Sequence, residues 1–97
     1  MIRVTIERRL KEGKMGDLIP ILRELRASAI HKPGFIGGET LVDTEDSSKV
    51  IVTCNWHSLD QWREWNTSEP RTKLYQKVAP LLSQEPKVTV YQVMSKE

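Results

Sequence analysis

The stretch Pro33–Trp65, PGFIGGETLVDTEDSSKVIVTCNWHSLDQWREW, decides the fold. Phe35–Val42 mixes apolar and small residues without a run of helix formers. Thr44-Glu45-Asp46-Ser47-Ser48 is a turn cluster, and Val50-Ile51-Val52-Thr53 is the densest β-branched run in the chain. Two strands joined by a polar turn follow from that pattern. Ser58-Leu59-Asp60-Gln61 then has capping-box spacing, with Ser58 placed to cap the Gln61 amide and Gln61 to reach back. A helix begins there and carries Trp62 and Trp65 at helical spacing.

Working outward, residues 2–10 alternate. Ile2, Val4 and Ile6 lie on one side, and Arg3, Thr5, Glu7 and Arg9 on the other. Arg8 falls on the apolar side at its far end. It either emerges from the core edge into water, the ordinary outcome, or faces a cavity. Lys11–Lys14 reads as a turn, and a helix runs from Asp17 to about Ile30 with Leu18, Ile19, Leu22, Leu25 and Ala29 as its buried stripe. With Asp17 as N-cap, Pro20 falls at the third helical position, where no intrahelical acceptor awaits an amide. Pro33 and Gly34 end this helix, leaving His31 solvated at its C-terminus.

On the other side, the helix from Leu59 ends near Asn66, and Ser68-Glu69-Pro70 restarts one with a stripe of Leu74, Tyr75, Val78, Leu81 and Leu82. Pro80 kinks that helix or loosens its end. Lys87–Val93 alternates as a last strand, and Met94–Glu97 is a tail.

The order β-α-β-β-α-β over one domain, residues 1–97, predicts a ferredoxin-like α+β sandwich, with a four-stranded antiparallel sheet and helices on one face. Val50, Val52, Cys54 and Trp56 face the helices. Ile51, Thr53, Asn55 and His57 share the other face, with Ile36, Val42, Tyr91 and Val93 beside them. So much apolar surface predicts that a second copy docks there.

Composition narrows the function. A net charge of +2 is too small to imply a nucleic-acid partner, and the central strand SKVIVTCNW lacks the stacking aromatics of an RNA-recognition domain. One cysteine, Cys54, excludes an internal disulfide and a CxxC metal or redox site. His31 and His57 stand on separate elements without the clustering of a zinc site, and no phosphate-binding glycine motif is present. The N-terminus puts charges where a signal peptide would need an apolar run, and no segment reaches the length of a membrane span. The expectation is a soluble, cytoplasmic protein. The remaining chemistry lies with the aromatic cluster. Trp62 and Trp56 are spaced as core; Trp65 and Tyr75, beside the helix break, divide between core and the wall of a pocket.

Taken together, the Pro33-Gly34-Phe35 helix exit, the Val50–Trp56 strand with His57-Ser58, the Leu59–Trp65 helix, the spacing to Ser68-Glu69-Pro70 and the Lys87–Val93 strand resemble the antibiotic-biosynthesis-monooxygenase superfamily of dimeric α+β barrels. The resemblance covers nearly the whole chain. It implies a homodimer whose sheets face each other, a ligand cleft between helices and sheet, and cofactor-independent oxidation of a small aromatic or quinol-like compound by molecular oxygen. Haem-degrading relatives use a first-strand asparagine, a helix tryptophan and a histidine ten residues beyond. Here Trp65 matches the tryptophan, but Tyr75 stands at the histidine position and Arg8 nearest the asparagine, so no cofactor is expected.

On the oxygenase reading, Trp65 stacks the ring, Tyr75 exchanges a hydrogen bond and Arg8 stabilises an anion. Trp65, Trp56, Asn55 and His57 are candidates for substrate contact. The alternatives are a non-catalytic module of the same fold holding a small or haem-like ligand, and a purely structural dimerisation domain with its rings packed shut.

Overall fold

Alternation at the N-terminus becomes strand β1, Ile2–Arg9, in the computed structural model, which describes residues 1–96. Helix α1 spans Met15–Ala29, and strands β2 (Phe35–Val42) and β3 (Lys49–Trp56) form the hairpin read from the sequence. Helices α2 (Leu59–Asn66) and α3 (Glu69–Val78) follow, then one 3-10 turn, Ala79–Leu81, and strand β4, Lys87–Gln92. The sheet order is β2-β3-β1-β4 with every neighbour antiparallel. This is the ferredoxin-like βαββαβ arrangement, with the helices on one face. The part of the expected tail at Glu97 lies outside the described residues.

Local chemistry accounts for most boundaries. The Ser58 hydroxyl accepts the Gln61 amide at 3.2 Å and donates to the Gln61 side-chain oxygen at 3.1 Å, so the box closes through the hydroxyl. Pro80 converts the end of α3 into the 3-10 turn. Helix α1 starts three residues earlier than an Asp17 N-cap predicts. Lys14 is its N-cap, its carbonyl accepting from the Asp17 and Leu18 amides at 3.1 and 3.0 Å. Asp17 therefore lies inside the first turn, where its charge favours the helix N-terminus. Pro20 consequently falls inside the helix, opposite the carbonyl of Gly16. Both residues are exposed.

A second correction concerns β2. Phe35 pairs with Trp56 but Gly37 pairs with Asn55, so Ile36 is the extra residue of a bulge. The bulge reverses the alternation beyond it. Val42 pairs with Val50 on the helix side, and Leu41, opposite Ile51, takes the place expected for Val42 on the open face. That open face is more polar than expected: Arg3 Nε donates to Asn55 Oδ1 at 3.0 Å, and Lys49 pairs with Glu7 at 3.3 Å.

Under the helices the core divides in two. Ile2, Val4, Ile6, Ala29, Cys54 and the three tryptophans form one cluster; Leu10, Leu18, Val50, Val78 and Leu82 form the other. Ile19, expected in the buried stripe of α1, is exposed instead. Along β1 the residue between Ile6 of one cluster and Leu10 of the other, on the same face, is Arg8.

Gly34 ties the α1 exit to the start of α2. Its φ is +89°, its carbonyl accepts the His57 amide at 2.8 Å, and a Cβ there would collide with the side chain of Gln61. Gly13, at φ +74°, has open space around it. Gly34→Ala is expected to lower stability by about 2–3 kcal/mol and Gly13→Ala by about 1 kcal/mol. Urea unfolding of the two variants checks the difference, and equal losses would mean the contact with Gln61 is immaterial.

Candidate functional site

Helix α1 does not close down on the β2–β3 half of the sheet. Between them lies a cleft of about 390 Å³, bounded at one end by α2 and the first turn of α3. Its walls are mostly apolar, with Ile6, Leu22, Leu25, Phe35 and Val52 among them. The volume lies within the range of small-molecule sites. At the mouth, Arg26 Nη1 donates to the Gly38 carbonyl at 3.2 Å and so links α1 to β2. A purely structural domain predicts no cavity able to admit a ring; this chain has one.

One wall is an aromatic stack. Trp65 lies nearly parallel to Trp56, centroids 6.5 Å apart and 24° between planes. Phe35 and Trp62 meet Trp56 edge-on at 5.3 and 6.2 Å. Trp56 is sealed, and its indole N–H donates to Cys54 Sγ at 3.4 Å. Burial pushes the Cys54 thiol up, against smaller lowering effects of that bond and of Arg71 and Arg8. Trp65 is 6% exposed, so it is both core and wall.

Arg8 is the decisive side chain. The expectation that it emerges into water is overturned: it is 2% exposed and lines the cleft. Strand alternation puts it on the helix side, opposite Val50, and the chain around it offers no exit. Its Nε is buried without a hydrogen-bond partner among the described residues. Burial, helped by Arg71 and opposed by Tyr75 and Cys54, lowers its pKa to about 10. Arg8 is therefore charged at neutral pH.

The folded state holds this proton less tightly than the unfolded state, so the charge destabilises the fold below about pH 10 and the penalty is relieved as pH rises above that. The magnitude is about 3 kcal/mol.

Arg71, on the first turn of α3, is the residue that sequence reasoning missed. It lines the same cleft, its guanidinium carbon lies 5.7 Å from the Trp62 ring centroid, and burial lowers its pKa. Nothing in the residue pattern marks it; only the fold brings α3 to the end of β1. Among the described residues no carboxylate bears on the charge of either arginine.

Of the other candidates, Trp65 and Trp56 are brought together with Arg8. Tyr75 is half-buried and outside the cleft lining, on a separate depression formed with Leu82, Ser83 and Gln84, though near enough to influence both arginines. Asn55 is on the opposite sheet face, bonded to Arg3, and His57 is exposed beyond the end of β3. Among the described residues no group of three His, Cys, Asp or Glu side chains can hold a metal ion, and no helix is long and apolar enough to cross a membrane.

A family model described as antibiotic biosynthesis monooxygenase matches residues 1–77. Comparison with curated proteins finds no match. Among solved structures, a conserved protein from Methanosarcina mazei Go1 superposes with a TM-score of 0.89 at 15% identity, over 94% of this chain and 90% of that one. Rv0793 from Mycobacterium tuberculosis gives 0.88 at 14%, over 98% and 96%. A point mutant of SnoaB, a cofactor-independent oxygenase from Streptomyces nogalater, gives 0.88 at 9%, over 98% and 94%. At these identities the likeness is one of fold.

Proposed function

The chain belongs to the antibiotic biosynthesis monooxygenase family, and from that premise we propose that it oxidises a small aromatic, quinol-like compound with molecular oxygen and no cofactor. The observation that carries this reading is the apolar cleft holding a buried arginine, its Nε without a hydrogen-bond partner among the described residues, beside a tryptophan stack. An electron-rich phenol needs little more from a protein. The Arg8 cation lowers the pKa of a ring hydroxyl and stabilises the phenolate. The phenolate passes one electron to oxygen, giving a phenoxyl radical and superoxide. These combine at a ring carbon, and loss of water leaves the quinone, so one oxygen atom enters the product and the other leaves as water. Trp65, backed by Trp56, is the surface against which the ring lies. Tyr75, outside the cleft lining, makes no contact with the ring, and Asn55 and His57 have no part in it.

The same reading makes the protein a cytoplasmic homodimer, paired through the open sheet face. Leu41, Ile51 and Tyr91 lie on that face, and one pair of charges among them is matched, Glu7 with Lys49. A single free cysteine, Cys54, suits a reducing compartment.

Oxygen uptake by the pure protein against hydroquinones, naphthols and anthrones tests the activity, with Trp65→Phe and Arg8→Gln beside wild type. Phenylalanine keeps a ring in the wall, since Trp65→Ala would remove about 3–5 kcal/mol of core packing. Uptake above autoxidation that falls at least tenfold in Arg8→Gln is expected. No uptake by wild type from any of these compounds would favour a binding module without turnover. For the dimer, sedimentation velocity is expected to give twice the mass of the 97-residue chain, and Ile51→Glu to return a folded monomer. A monomeric wild type would remove the pairing.

A further inference from the structure

The two arginines say more about the ligand than that it is a ring. We infer that the cleft takes an aromatic carboxylate, its acid group held between Arg8 and Arg71 and its ring along the tryptophan wall. The inference rests on reading the cleft as the ligand site.

Three observations lead to it. Arg8 is 2% exposed with an unpartnered Nε, although buried donors nearly always find an acceptor. Arg71 lines the same cavity and repels Arg8, so two cations are held together without a counter-ion from the described residues. The mouth continues the pattern: Arg23 and Arg26 also line the cleft, against one acid, the exposed Glu39. Two like charges in an apolar enclosure repel until an anion enters between them. A guanidinium is a planar fork of donors matched to the two oxygens of a carboxylate. A ligand that is ionised before it arrives meets this demand at neutral pH. A neutral phenol meets it only after losing a proton, so the carboxylate and the ring hydroxyl are separate groups with separate tasks, anchoring and reaction.

Calorimetric titration in the absence of turnover separates this inference from the oxygenase reading. The probes are 2-naphthoate and its uncharged analogue 2-naphthylmethanol, against wild type, Arg8→Met and Arg71→Met, each confirmed folded by circular dichroism. Wild type is expected to bind the carboxylate at least about tenfold more tightly than the alcohol. Each variant is expected to lose most of that preference while its affinity for the alcohol stays within about twofold. Arg71, on the first turn of α3, keeps the test open if Arg8→Met does not fold. Equal affinity for the two probes in wild type, or an unchanged preference in both variants, overturns the inference and leaves the oxygenase reading standing. Preference for the carboxylate without oxygen uptake from any compound does the reverse.

Discussion

The antiparallel register between β1 and β3 sets the conditions for everything else. It places Ile2, Val4, Ile6 and Arg8 on one face, opposite Trp56, Cys54, Val52 and Val50. Three of those four β1 positions belong to an apolar layer, and the fourth carries a guanidinium that alternation allows no other direction. The side chain is long, yet it is 2% exposed and ends in the wall of the cleft. A charge fixed in this way must be matched by something, and among the described residues no carboxylate matches it. The interruption of the core at Arg8 and the opening of the cleft beside it follow from the same placement.

Around that charge the aromatic residues supply shape. The chain has one phenylalanine and three tryptophans, and all four meet in one group centred on Trp56. Large flat rings with few rotamers make a wall that keeps its form when the space beside it is unfilled. Trp62 has a double use, packing in the core with one face while Arg71 lies over its ring. That contact holds the second guanidinium over the cleft without neutralising it, as a carboxylate would.

Most of the fold was legible because its signals are local. The Ser58–Gln61 spacing, the β-branched run at Val50 and the proline at position 80 each carry their own physics within a few residues. The errors came where a local rule had two outcomes. Asp17 is a good N-cap, yet Lys14 takes that role, and the helix gains a turn with Pro20 on an exposed stretch inside it. Alternation was carried unbroken through the bulge at Ile36, which put Val42 on the wrong face. The candidate site was half legible. Trp65 and Trp56 announced themselves by type and spacing. Arg8 was seen, but its place at the far end of the strand favoured water over the cavity that it faces. Arg71 had no signal, since its importance is wholly one of tertiary proximity to a residue on β1.

The central claim is that Arg8 is retained for a ligand and at a cost to the fold. Urea unfolding of wild type and Arg8→Met at pH 7, without added ligand, tests it most directly. Methionine keeps much of the length of the side chain and removes the charge. The account predicts that the variant is more stable than wild type, by about 2–3 kcal/mol, because an unpaired buried cation has been replaced by apolar volume. A variant less stable than wild type would mean that Arg8 supports the fold through partners within the chain, and would contradict the account.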